Sequence, residues 1–277
     1  MAITSTETPG ESNDMTATEG TAVDTTKLVP TLPRIPWREV EILEVVTETE
    51  RVRSLVLRVP DWPGHVAGQH VDVRLTAENG YRAERSYSIA SPPERSEVVL
   101  TVERVEDGEV SPYLAGEARA GDRFELRGPI GSYFSWRNSL PGPLQLVAGG
   151  SGIVPLIAML RHRAAKRDRK PARLLFSSRT LDSIIYRREL EGLVTDDSGL
   201  KIVHTLTREV PPGWSGPHRR VDLEMLRDQA VPPQQRPRIY ICGPTPFVES
   251  VADAFLSLGN DPAAIKTERF GPTGGQA

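Results

Sequence analysis

The chain has 277 residues, 38% hydrophobic and 26% charged, which is enough apolar material for two cores in domains of roughly 100 to 150 residues each. A formal net charge of −3 leaves no basic excess to neutralise a phosphate backbone or an anionic lipid surface, so nucleic acid is not an expected partner. The one cysteine, Cys242, excludes an internal disulfide, a cysteine-ligated iron–sulfur cluster and a cysteine-built zinc site, and the five scattered histidines make no metal-ligand pair, so any redox centre has to be organic.

Residues 1–33 are rich in Thr, Glu, Gly and Ala and almost free of large apolar side chains, so they could not offset the entropy of being ordered. A disordered leader is expected there. It shows no basic region followed by an apolar one, which argues against a signal peptide and for a cytoplasmic protein. The most apolar stretch, 144–160, is broken by Gly149, Gly150, Gly152 and Pro155, so no membrane insertion is expected.

From residue 34 to 141 short β-type runs alternate with Gly and Pro turns: 40–46, 52–59, 70–75, 86–90, 98–105 and 123–126. This pattern predicts a small antiparallel β-barrel or sandwich. From 142 to 277 the grammar changes to strand followed by helix. Strands are predicted at 144–148, 173–178, 201–206, 238–242 and 265–270, with helices at 155–166, 183–193, 221–229 and 246–258. Such alternation predicts a parallel α/β sheet that binds ligands at the carboxyl ends of its strands.

Chemistry-bearing residues fall at the joints of this plan. In Arg85-Ser86-Tyr87-Ser88, strand alternation puts a guanidinium for a phosphate and a ring for stacking, Arg85 and Tyr87, on one face. Gly108-Glu109-Val110-Ser111-Pro112 reads as a capped helix start whose free N–H groups suit an anion such as a diphosphate. Gly149-Gly150-Ser151-Gly152 joins a predicted strand to a predicted helix, where backbone N–H groups can approach a pyrophosphate. Cys242-Gly243-Pro244 ends another strand of the same sheet.

Together these segments resemble the ferredoxin–NADP reductase superfamily, in particular its stand-alone bacterial flavoproteins. The family's Arg-x-Tyr-Ser strand, Gly-x-x-Ser-x-x-Leu turn, Gly-Pro-x-Gly turn, Gly-Gly-x-Gly-x-x-Pro turn, Cys-Gly-Pro element and C-terminal Glu-x-aromatic element occur in order between Trp37 and Phe270. The resemblance implies a flavin-binding barrel followed by a nicotinamide-binding α/β domain. FAD would be held by Arg85, Tyr87, Ser88, Gly108, Val110 and Ser111. NADPH or NADH would be held by Gly149, Gly150, Ser151, Gly152, Cys242, Gly243 and Pro244, with Phe270 close by. Ser88, Cys242 and Glu268 would surround the reacting rings, although the chain runs on past Phe270 to Ala277 where plant-type members end on an aromatic residue. Thr207-Arg208 and Arg219-Arg220 resemble positions that grip a 2′-phosphate, which favours NADPH. The implied activity is electron transfer from NAD(P)H through FAD to a separate one-electron acceptor such as a ferredoxin. The alternatives are a siderophore or flavin reductase with a small-molecule acceptor, and a flavin-binding subunit without nicotinamide activity.

Overall fold

The computed structural model describes residues 35–271. The leader expected over 1–33 lies outside the described residues.

The first half is a six-stranded antiparallel sheet of β1 (Arg38–Thr49), β2 (Val52–Arg58), β3 (His70–Thr76), β4 (Arg82–Ser88), β5 (Val98–Glu103) and β6 (Arg123–Ile130), in the order β4-β3-β6-β1-β2-β5. Its two outer strands meet through a bridge between Ile89 and Leu100, which curls the sheet into a barrel. Alternation decides what fills it: Val40, Ile42, Leu55, Leu57, Val71, Val73, Leu100 and Leu126 point inward and are buried. The strand expected over 86–90 starts earlier, at Arg82. Charged residues such as Glu84 and Arg85 carry little β-propensity, but their backbone pairs along β3 and Glu84 meets Arg74 across the strands.

The second half is a five-stranded parallel sheet of β7 (Leu144–Gly149), β8 (Ala172–Ser178), β9 (Leu200–Leu206), β10 (Arg238–Pro244) and β11 (Ile265–Phe270), ordered β11-β10-β7-β8-β9. Helices α1 (Ile153–Ala165), α2 (Arg187–Asp196), α3 (Leu223–Gln229) and α4 (Thr245–Ser257) link the strands. The chain leaves β7 toward β8 on one side and later returns to β10 on the other, so the carboxyl ends of β7 and β10 form the crevice where such sheets bind ligands. No helix among the described residues is long and apolar enough to cross a membrane.

Two helices differ from expectation. α2 begins at Arg187 rather than 183, because Thr180 and Ser183 exchange side-chain and backbone hydrogen bonds in a separate short turn and Tyr186 takes a left-handed φ of 60°. A helical turn does begin at Ser111 as expected and widens over Tyr113–Glu117, but the Ser111 hydroxyl accepts a hydrogen bond from the Val105 N–H instead of capping it. α1 is buried along its whole first half, Ile153 to Leu160, because it lies between the parallel sheet and the barrel. One apolar core therefore runs through both halves, joining Val52, Ala67, Ala90, Phe134 and Trp136 to α1 and to Leu146, Leu174 and Phe176.

Candidate active site

A cleft of about 860 Å³ opens at the carboxyl ends of β7, β8, β9 and β10. Gly149, Gly150 and Ser151 form its floor, and Thr49 to Val52 of the β1–β2 turn lean in from the barrel side. Gly150 has a φ of +56° with open space where a side chain would begin, so no side chain comes between its backbone and the cleft it lines. Gly152 is buried behind it, against the backbone of Cys242.

Thr207, Arg208, Arg220, Pro244 and Phe270 also line the cleft. Arg219 does not: its guanidinium is taken by Glu224 at 2.7 Å and Asp222 at 3.4 Å, so the neighbouring Arg220 is the cation that faces the cleft. Ser178 and Arg179 are among the lining residues that escaped the sequence reading. The Arg208 N–H donates to the Arg179 carbonyl at 3.0 Å, and the Thr207 N–H to the Ser178 carbonyl at 3.0 Å, so the ends of β8 and β9 hold the two arginines side by side. Their signal was present in the sequence, as an arginine directly after a predicted strand at the same sheet edge as Arg208. The buried Ser178 Oγ has no hydrogen-bond partner among the described residues, an arrangement suited to a polar ligand.

Where barrel and sheet meet, Ser88, Cys242 and Glu268 come together. Cys242 and Glu268 are register partners on β10 and β11, and the Ser88 hydroxyl of β4 donates to Glu268 Oε1 at 3.4 Å. Burial pushes the Glu268 carboxyl up to about 7, against a smaller lowering by the Ser88 hydrogen bond. Burial first and the Glu268 charge second push the Cys242 thiol well up, which keeps it a neutral wall and not a nucleophile.

The flavin candidates lie along β4 and the turn that follows β5. Tyr87 is half-buried against the barrel core, and burial raises its phenol, so the ring is a neutral surface for stacking. Arg85 is exposed and pairs with Glu109 at 2.5 Å, while the Tyr81 hydroxyl donates to the same carboxylate. Val110 is fully buried in the barrel core, so the structure does not present this expected flavin contact to a ligand. Gly108 packs closely, with a Cβ there lying 2.8 Å from Ser111 Oγ. A guanidinium, an aromatic face and a hydroxyl along one strand fit the diphosphate, ring and polar edge of a flavin dinucleotide. The glycine floor, the arginines and the unpaired Ser178 fit a nicotinamide dinucleotide.

Comparison with known proteins agrees with this division. Residues 39–135 match an oxidoreductase FAD-binding domain and residues 146–253 an oxidoreductase NAD-binding domain. NADH-cytochrome b5 reductase 1 of Aspergillus terreus is 32% identical over 215 residues, 75% of this chain and 72% of that protein. The ferredoxin reductase component of 3-ketosteroid-9-alpha-monooxygenase from Mycobacterium tuberculosis is 29% identical over 262 residues, 84% of this chain and 70% of that one. Among solved structures, the FAD/NAD-binding domain of a nitric oxide dioxygenase from Vibrio cholerae superposes with a TM-score of 0.77 at 26% identity, covering 86% of this chain and all of that one.

Proposed function

Because the chain belongs to the ferredoxin–NADP reductase superfamily, as an oxidoreductase that binds FAD and a nicotinamide dinucleotide, we propose that it takes hydride from NADPH and passes electrons singly to a separate redox protein such as a ferredoxin. The observation that carries the choice of NADPH is the pairing of Arg179 with Arg208 on the cleft wall, with Arg220 lining the same cleft. A 2′-phosphate rewards several guanidinium donors, whereas a free ribose hydroxyl calls for an acceptor.

In this reading residues 34–141 bind the flavin and residues 142–277 the nicotinamide dinucleotide. The N–H groups of the Gly149–Ser151 turn and the Ser178 hydroxyl hold the dinucleotide's phosphates and ribose. Cys242, Gly243, Pro244 and Phe270 wall the nicotinamide. Arg85 and the backbone at Gly108 and Ser111 hold the flavin diphosphate, Tyr87 packs on the ring system, and Ser88 donates a hydrogen bond at its reactive edge. Bound flavin supplies two-electron uptake and one-electron release. The protein's own part is to hold the two rings face to face and exclude water, and to keep a proton on Glu268 beside Ser88 below about pH 7.

The single cysteine means that these residues do not ligate an iron–sulfur cluster, which supports an acceptor held elsewhere. The names of two relatives, a cytochrome b5 reductase and a ferredoxin reductase component, favour a protein acceptor. Anaerobic titration of the yellow holoenzyme tests the donor: NADPH should bleach the flavin at lower concentration than NADH. Turnover with a ferredoxin should exceed turnover with ferric chelates or free flavin, and the reverse order would assign a small-molecule acceptor.

A further inference from the structure

We propose that Arg161 is a positioning residue for hydride transfer, tying the helix that carries the glycine turn to the strand that carries Tyr87 and Ser88. This rests on the donor reading above. α1 starts immediately after Gly149–Gly152, and Arg161 stands on it beyond its second turn. Its Nη1 donates to the Ala90 carbonyl at 2.8 Å, two residues past Ser88. The Ala90 N–H is itself bonded to the Val99 carbonyl and the Ile89 N–H to the Gln69 carbonyl, so Arg161 grips a fixed point of the barrel. Its Nε and Nη2 make a bidentate pair with Glu189 of α2, both at 2.7 Å.

The guanidinium also lies 4.9 Å from the ring centroid of Tyr186. From that ring a chain of hydroxyls runs back into the barrel. The Tyr186 hydroxyl donates to Thr101 of β5, Thr101 and Ser54 are 2.8 Å apart, and Ser54 donates to the Glu48 carboxylate at 2.6 Å. Since the Ser54 proton goes to Glu48 and the Tyr186 proton to Thr101, Thr101 must donate to Ser54, and all the bonds run in one direction toward a carboxylate. The residues next to these, Thr49 to Val52 on one side and Ser183 and Ile185 on the other, line the cleft.

The two rings would be held by different halves of the chain, and the apolar core between the halves resists separation while saying little about sliding. Arg161 engages three partners from one planar group, donating to Ala90 and Glu189 and lying against the Tyr186 ring, something a lysine cannot reproduce. With only 20% of its side chain exposed, its bonds are not of the freely screened surface kind. It does not line the cleft, so it acts through Ala90 and α1 and not by touching the nucleotide.

The test is Arg161→Lys in the FAD-loaded enzyme. The limiting rate of anaerobic flavin bleaching at saturating NADPH should fall on the order of tenfold, and the long-wavelength charge-transfer absorbance of the flavin–nucleotide pair should weaken. Flavin content and nucleotide Kd should stay within about twofold, as expected when both binding surfaces remain but their registry is lost. Tyr186→Phe, which cuts the chain at Thr101 and keeps the ring, should move rate and absorbance the same way by less, and it serves if the lysine variant does not fold. Wild-type rate and absorbance in either folded variant, with only a lower melting temperature, would reduce Arg161 to a structural brace and overturn the proposal. Failure of both NADPH and NADH to bleach the wild-type flavin would instead remove the donor reading, and this inference with it.

Discussion

Gly152 packs on the carbonyl of Cys242 so closely that a Cβ at Gly152 would lie 2.1 Å from the oxygen and 2.4 Å from its carbon. The glycine turn and the Cys-Gly-Pro element, far apart in the chain, are thus one contact at the mouths of β7 and β10. Backbone atoms on both sides leave nothing that can rotate away. Gly152→Ala should therefore lose about 1–3 kcal/mol of stability or more and lower nicotinamide-driven flavin reduction on the order of 100-fold. Gly192, inside α2 with open space around it, is the contrast: Gly192→Ala should gain about 0.5–1 kcal/mol with unchanged turnover. Denaturant melts and stopped-flow bleaching of both variants check this.

Arg179 and Arg208, bonded through their backbones, are expected to share the extra phosphate of NADPH. Loss of one charge-assisted contact is worth about 1.5–3 kcal/mol, so Arg208→Gln or Arg179→Gln should raise KM for NADPH about tenfold or more. KM for NADH should move less than about twofold, because uniform binding elsewhere is untouched. Equal effects on both donors would refute the assignment.

Glu268 predicts a pH dependence of stability. Burial holds its carboxyl near 7 in the folded chain against an ordinary value of 4.5, so the native state binds the proton more tightly. The stability this contributes is complete below about pH 4.5 and is lost as pH rises through about 7. Gln mimics the protonated form at every pH. Glu268→Gln should therefore be more stable than wild type at pH 8, on the order of 2 kcal/mol, with the gap closing toward pH 4. Urea midpoints across that range decide it, and a gap that widens on acidification would reverse the sign of the argument.

Glu109 stands where a flavin diphosphate on Arg85 would meet a competing carboxylate, 2.5 Å from the guanidinium. Glu109→Gln should tighten FAD binding a few-fold, and the gain should shrink with added salt because the pair is exposed. Fluorescence titration of flavin into flavin-stripped protein measures it. Weaker binding in the variant would mean that Glu109 orients Arg85 for the flavin.

Much of this was legible beforehand because it is local. Residues 265–270 sit between turn residues and close the strand–helix series, and they form β11 with those bounds. The glycines of 149–152, placed between a strand and a helix, announced a close backbone approach before any contact was known. The charged run at Arg82–Arg85 concealed half of β4, because only its pairing with β3 makes those residues a strand. Ser111 and Pro112 promised a helix cap, yet the hydroxyl bonds back to Val105, a partner that local spacing does not disclose.

The order of motifs along the chain therefore determined the two-part architecture, and through its resemblance to the ferredoxin–NADP reductase superfamily the FAD and nicotinamide classes, since strand and helix periods and glycine turns are written in short segments. Tertiary structure alone decided which cations face the cleft, turning Arg219 onto α3 and bringing Arg179 beside Arg208. It also decided the charge state of Glu268 and the role of Arg161. Burial and directional bonds between distant segments exist only once the barrel, α1 and the parallel sheet have closed on one another.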